Sequence, residues 1–170
     1  RVAQTPVPRA LVSGADLPVH AEGAGLAQLS VTRPDVAVIC LHGRFGEDGT
    51  IQGMLELLGI PYTGSGVLAS ALGIDKVMCK KFFEVEGIPT PPAQVVRGRA
   101  GADRYLAELQ AGRARVGCPA VVKPSKQGST IGISIVKSPE EMPAALTEAL
   151  KYDRELLVER FVEGIDGVDA

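Results

Sequence analysis

Val121-Val122-Lys123-Pro124-Ser125-Lys126-Gln127-Gly128-Ser129-Thr130-Ile131-Gly132-Ile133 is the stretch on which the reading of this chain turns. It begins as a short apolar strand with a lysine at its end. A loop of small and hydroxyl-bearing residues follows, and then a second strand, Ile133 to Val136. That order suits a flap closing over phosphates. Glycine lets the backbone approach an anion, N–H groups and hydroxyls donate to it, and lysine supplies charge. The loop is not a Walker A element, because GxxxxGK[ST] occurs nowhere in the chain. The same pattern also describes an ordinary hairpin with a polar turn.

Downstream, Ser138-Pro139-Glu140-Glu141 reads as a helix start, with Ser138 as N-cap, Pro139 at N1 and Glu141 at N3. Met142, Ala145, Leu146, Ala149 and Leu150 then face a core, and Glu155 to Arg160 is a last strand leading to Phe161-Val162-Glu163-Gly164. Upstream, Ala93 to Arg97 is a strand and Ala102 to Ala111 a helix. Ile88-Pro89-Thr90-Pro91-Pro92 cannot be helical and is expected to mark a boundary between domains or subdomains. Asp75 caps a helix whose stripe is Val77, Met78, Lys81, Phe82 and Val85, and Gly87 closes it.

Further upstream, Asp35 to Leu41 is a continuous apolar run, as in a strand buried on both faces of a parallel sheet. It stops at the loop His42 to Gly49. Thr50 is expected to cap the next helix, which carries Ile51, Met54, Leu55 and Leu58 on one face and ends at Gly59; Ile60 to Thr63 is extended. Strand, loop, helix, strand is one piece of an open α/β sheet, in which ligands lie beyond strand carboxyl ends. Residues 1–34 are rich in Pro, Gly and Ala and carry no clear pattern. The expected fold class is α/β. Residues 1–73 form the rear part of an open parallel-sheet N-terminal domain, and residues 74–170 an α+β unit with an antiparallel sheet.

With 170 residues, 45% apolar and 22% charged, the chain has a globular composition. Its net charge is −2 with acidic and basic residues well mixed, and it holds only four Phe and three Tyr, so no nucleic-acid partner is expected. No apolar run approaches the length of a membrane span, and Arg1 to Arg9 do not resemble a signal peptide, so no membrane association is expected. Cys40, Cys79 and Cys118 are far apart with no CxxC or Cys/His cluster, which argues against zinc. Cys40 and Cys118 lie among apolar residues and are expected to be buried thiols in a reducing, cytoplasmic compartment.

Three separated positions belong together: Lys76 at a helix start, Lys123 at a strand end, and Glu159-Arg160-Phe161-Val162 at another strand end. Singly each has a plain reading, a solvated lysine or the exposed end of an edge strand. Together they resemble the ATP-grasp superfamily and, within it, the D-alanine–D-alanine ligases. Leu41 to Gly53 matches that family's LHGxxGEDGxxQG stretch, and Pro61 to Leu72 matches PYTGSGVxASAL. Asp75-Lys76 matches the DK that follows, Val122 to Gly132 matches VKPxxxGSSxG, and Leu157 to Phe161 matches LVExF. The match runs in order from about Asp35 to Gly164 and makes residues 74–170 an ATP-grasp small, central subdomain.

The resemblance implies roles residue by residue. Lys76 and Lys123 would bind ATP phosphates, covered by Gly128, Ser129 and Thr130, with Ser129 matching a loop serine credited with a catalytic role. Glu159 would accept from the adenine amino group, and the backbone at Arg160 and Val162 would meet the adenine edge. Asp166 matches a carboxylate for the ribose hydroxyls, and His42 a histidine near the D-alanine site; on the sequence alone His42 is equally a histidine satisfied by its own loop. The implied reaction joins two D-alanines at the expense of ATP, through an acyl phosphate, for peptidoglycan synthesis.

Some family features are not matched. The glycine-rich first strand–loop has no counterpart in Arg1 to Arg33, and the family's magnesium ligands are expected beyond Gly164, so no metal ligand is assigned within the chain. Gln127 stands where glutamate is usual, Arg160 replaces a common lysine and Thr130 a common serine. The chain is expected to be an interior fragment, inactive in ligation by itself. A ligase making D-alanyl-D-lactate and a non-catalytic nucleotide-binding remnant are the alternatives. Dimerisation of the full-length protein is implied by the resemblance only.

Overall fold

The computed structural model describes residues 31–163, which divide into two units between Leu72 and Gly73.

In the first unit the loop His42 to Gly49 feeds helix α1 (Thr50–Leu58). Thr50 is not the N-cap: Gly49 holds that position, and the Asp48 carboxylate takes the Thr50 N–H at 3.0 Å and the Phe45 N–H at 2.9 Å. Burial works against the charge on Asp48, but hydrogen bonds from the Phe45 N–H and from the Thr50 hydroxyl and N–H outweigh it and hold the carboxyl below its usual value. Gly49 has φ +90°, and a Cβ there would lie 2.7 Å from the Val67 carbonyl oxygen, so the start of α1 and helix α2 (Val67–Ile74) approach too closely for a side chain. Gly59 ends α1 in the left-handed region, its N–H returning to Glu56, while the Ile60 N–H returns to Leu55. Ile51, Leu55 and Ile60 form the core of this unit, with Ala37, Ile39, Leu41 and Tyr62 packed against it.

The run Asp35 to Leu41 is less of a strand than its composition suggests. Ala37 makes one parallel bridge to Tyr62, with Ala37 N–H to Pro61 O at 2.7 Å and Thr63 N–H to Ala37 O at 3.0 Å. Alternate residues Val38 and Cys40 are exposed, so the run is covered on one face only among the described residues. Cys40 is therefore not a buried thiol here, and Cys118 is half-buried.

In the second unit Asp75 caps helix α3 (Lys76–Val85), accepting from the Val77 and Met78 N–H groups. Four strands follow: β1 (Ala93–Arg97), β2 (Ala120–Pro124), β3 (Ser134–Val136) and β4 (Glu155–Arg160). They form one antiparallel sheet in the order β1-β4-β2-β3. Helices α4 (Gly98–Gln110) and α5 (Met142–Ala149) cover one face. That face carries Val96, Ala120, Val122, Val136, Leu156 and Val158, packed with Ala102, Tyr105, Met142 and Leu146. The buried Tyr105 hydroxyl donates to Val116 O at 2.8 Å, and burial pushes this phenol up to about 12. On the other face Val77 of α3 packs on Ala93 and Leu157.

Several local expectations shift. Helix α4 starts at Gly98, not Ala102, where the Gly98 N–H donates to Arg154 O at 2.7 Å. Ser138 precedes a 3-10 turn, Pro139–Glu141, and the Glu141 carboxylate reaches back to the Lys137 N–H, so α5 proper begins at Met142. Ile88 to Pro92 is not helical, as expected, but it lies within the second unit, where Pro92 O accepts from the Arg160 N–H at 2.9 Å. In α3 the buried residues are Val77 and Lys80, while Met78, Phe82 and Val85 are exposed.

Candidate functional site

The period-2 alternation of strands builds the site. Leu156 and Val158 face the helices, so Leu157 and Glu159 face the opposite side. Lys123 sits opposite Leu157 in the β2–β4 ladder, which makes it the diagonal neighbour of Glu159 on that same side. Lys123 Nζ lies 2.6 Å from Glu159 Oε2. The other carboxylate oxygen, Oε1, accepts from Lys80 of α3, and Lys80 Nζ also donates to Thr90 Oγ1 at 2.7 Å. β4 is an inner strand, and the Glu159 side chain is only 12% exposed; the edge-strand reading of Glu159 does not hold.

Lys76 joins the group from the first turn of α3, its Nζ donating to Gln127 O at 2.5 Å. Together Lys76, Lys80, Lys123, Thr90, Leu157 and Glu159 line a cleft of about 230 Å³. Two ammonium groups hold one carboxylate there and a third, Lys76, lines the same cleft, so cations outnumber the carboxylate, an arrangement that favours an anion. Burial works against the charge on Glu159, but the hydrogen bonds from Lys123 and Lys80 outweigh it and hold the carboxyl below its ordinary range. Burial, and after it the neighbouring Lys123 charge, hold Lys76 below the usual lysine value. Binding a polyanion relieves this mutual repulsion.

Ser125 ties the start of α3 to the end of β2. It is fully buried; its hydroxyl donates to Asp75 Oδ1 at 2.8 Å, its carbonyl accepts from the Lys76 N–H at 3.0 Å, and its N–H donates to Glu155 O at 2.9 Å. Lys76 and Lys123 are thus held on one frame. Burial alone would raise the Asp75 carboxyl, but the Ser125 hydroxyl, the Met78 N–H and Lys126 keep it low.

The flap follows directly. Ser129 and Thr130 have φ of 51° and 58°, left-handed values that cost a side-chain-bearing residue about 1–2 kcal/mol each. Strain of this kind collects at ligand clamps and switch segments. Gly132, at φ +71°, closes the turn, and a Cβ on it would stand 2.6 Å from Tyr152 Cδ2 and 2.9 Å from Pro124 Cγ. Gly132→Ala is expected to destabilise the second unit by about 1–3 kcal/mol and to speed proteolysis between Lys126 and Ile133. An unaltered urea midpoint and cleavage rate would mean that Tyr152 swings aside without cost.

Among the other sequence-predicted positions, Gly128 is half-buried in the flap, and Arg160 and Val162 are exposed at the end of β4 and just beyond it. The Arg160 N–H is used by Pro92 O. His42 belongs to the first unit, is exposed, and has Nδ1 3.9 Å from Glu47 Oε1. Asp166 lies outside the described residues. Sequence reasoning missed Lys80 and Ser125. Lys80 had one signal, its i+4 spacing from Lys76 on the same helix face; Ser125 had only its place after the strand's terminal proline.

Comparison with known proteins identifies the architecture. The family model described as D-ala D-ala ligase C-terminus matches residues 82–168, and that described as D-ala D-ala ligase N-terminus matches residues 16–65. The D-alanine–D-alanine ligase of Geobacter sulfurreducens is 57% identical over 130 residues, covering 76% of this chain and 39% of that protein. The ligase of Desulforamulus reducens is 54% identical over 140 residues, covering 82% and 45%. The chain thus spans roughly two fifths of the length of these curated relatives. Among solved structures, D-alanine–D-alanine ligase from Helicobacter pylori superposes with TM-score 0.67 at 30% identity, covering 77% of this chain and 38% of that one. The VanG D-Ala:D-Ser ligase of Enterococcus faecalis gives TM-score 0.67 at 36% identity, covering 76% and 37%. With both family models matched in order and an antiparallel sheet like that of the solved ligases, the chain belongs to the D-alanine–D-alanine ligase family.

Proposed function

We propose that this chain carries the nucleotide-binding part of an ATP-dependent D-alanine–D-alanine ligase. The observation that carries the reading is the cleft in which Lys80 and Lys123 hold Glu159 and Lys76 stands beside the strained flap, bonded to Gln127 O. In this reading Lys76 and Lys123 take the phosphates, where charge gathers during phosphoryl transfer. Gly128, Ser129 and Thr130 cover them, with Ser129 nearest the chemistry. Glu159 accepts from the adenine amino group, the backbone of Arg160 and Val162 meets the base, and Asp166 holds the ribose. His42 serves the D-alanine side. A carboxylate oxygen of one D-alanine attacks the γ-phosphorus and ADP leaves. The amine of a second D-alanine then attacks the acyl carbon, phosphate leaves and the amine gives up a proton.

The family resemblance also implies magnesium. The described residues do not fit that ion: they contain no group of three or more His, Cys, Asp or Glu side chains, and Glu159 is engaged by two lysines. Among the described residues no helix is long and apolar enough to cross a membrane. A cytoplasmic enzyme, dimeric when full length and supplying the dipeptide for peptidoglycan, is the setting that suits the reaction.

The test is a graft. The Geobacter sulfurreducens relative is made with its matched 130 residues replaced by those of this chain, and ADP and dipeptide are followed with D-alanine alone and with D-lactate added. Dipeptide formation with one ADP per bond is the expected result. A graft that binds ATP and forms neither product would reduce the reading to a nucleotide-binding module, and preferential use of D-lactate would move it to the depsipeptide ligases.

A further inference from the structure

We propose that Lys80 is a positioning residue for purine recognition: with Thr90 it forms a buried brace that fixes Glu159 and presents the carboxylate to the exocyclic amine of an adenine nucleotide. The inference rests on the nucleotide reading of the cleft. Lys80 is 6% exposed, and its ammonium holds two acceptors from different elements, Thr90 Oγ1 at 2.7 Å and Glu159 Oε1 on β4. Burying an ammonium this deeply is costly unless it is paired and hydrogen-bonded, and a lysine without a task at this position would be replaced by an apolar residue at little loss. Lys123 is the more exposed partner, with 27% of its side chain accessible, and it stands beside Lys76. It is the lysine free to turn toward phosphates. Once Lys123 engages an anion, Glu159 needs another cation to stay ionised in a half-buried site.

The ionised form matters for selectivity. A carboxylate only accepts hydrogen bonds, so it suits the amino group of adenine and repels the carbonyl oxygen that guanine carries at the same position. A carboxyl that gains a proton accepts and donates, and that discrimination weakens. The groups facing Glu159 are Lys80 from α3, Lys123 from β2 and Thr90 from the segment before β1, with Lys76 and Cys79 also lining the cleft. Removing Lys80 takes away one of two ammonium groups that lower the Glu159 carboxyl, so that carboxyl rises and protonates at a less acidic pH. The loss therefore appears at the acid end.

The experiment is equilibrium binding of ATP and of GTP to the 170-residue chain and to Lys80→Met, Lys80→Arg and Thr90→Val, at about pH 7.5 and about pH 5.5. Lys80→Met is expected to weaken ATP binding about tenfold with a much smaller effect on GTP, so the ATP/GTP preference falls. Between the two pH values its ATP affinity drops more than that of the parent chain; the difference cancels the titration of the nucleotide's own phosphate. Lys80→Arg restores most of the preference. Thr90→Val, which keeps every charge, shifts the preference in the same direction by about two- to threefold, and it serves if Lys80→Met does not fold. A parent chain that binds ATP, with variants of unchanged ATP/GTP preference and pH response, would sink the brace alone. A parent chain that binds no ATP would overturn the nucleotide reading and the brace with it.

Discussion

Lys123→Met is expected to weaken ATP binding about a hundredfold, the range found when one partner of a close, partly buried charge pair is truncated. Two losses combine. The cleft loses one of the ammonium groups that face an anion, and Glu159 Oε2 loses its partner at 2.6 Å. Comparing ATP with adenosine separates them. Adenosine has no phosphates, so its binding falls only through the disturbed Glu159, and the expected loss is less than tenfold. Lys80→Met has the opposite signature, changing the choice of base more than the dependence on phosphate. If ATP and adenosine lose affinity equally in Lys123→Met, Lys123 acts by holding Glu159 and the phosphate assignment fails. The Lys80→Met, Lys123→Met double variant tests the shared partner: both lysines bond the same carboxylate, so the effects are expected to be non-additive.

How much of this was legible depends on the range over which each feature is decided. The strands around the flap could be read because alternation and turn residues are local, and the same period put Lys123 and Glu159 on the cleft side once the ladder was known. The ladder itself is not local. Nothing in Glu155 to Arg160 reveals that this strand lies between β1 and β2, so Glu159 looked like an edge residue while its side chain is in fact mostly covered. Lys80 escaped for a different reason. Reading α3 by residue type drew the stripe through Met78, Lys81, Phe82 and Val85, of which Met78, Phe82 and Val85 are exposed here. It passed over the buried Lys80, because the cover over Lys80 comes from Thr90 and Glu159, far from it in sequence or on another element. Asp35 to Leu41 failed in the opposite direction: its composition suits a doubly covered strand, but cover comes from neighbours, and one bridge at Ala37 is what the described residues supply. The five motif matches were legible as strings, yet their physical reason was not. That Gly49 is required by the approach of Val67 links two of those strings through a contact no linear reading contains.

Leu156→Ala is the substitution expected to cost the second unit most, about 3 kcal/mol. Leu156 is fully buried on the inner strand β4, between Val96 on β1 and Pro124 on β2, and it packs in the core beneath α4 and α5. A hole at that point has little freedom to close, because β4 is hydrogen-bonded on both sides and cannot shift toward either helix without breaking a ladder. A unit of this size has about 5–15 kcal/mol in total, so the loss is a large fraction of it. With a urea slope of about 1.5 kcal/mol/M, the midpoint falls by about 2 M with the slope unchanged. The same strand carries the site, and this makes the prediction more than a core truncation. Leu156 and Glu159 point to opposite faces of β4, so folded Leu156→Ala is expected to keep its ATP/GTP preference while losing stability, the reverse of Lys80→Met. A midpoint shift below about 0.5 M would show that the sheet closes around the cavity. A changed nucleotide preference at full folding would show that the helix-side core, and not the brace of Lys80 and Thr90, sets the position of the carboxylate.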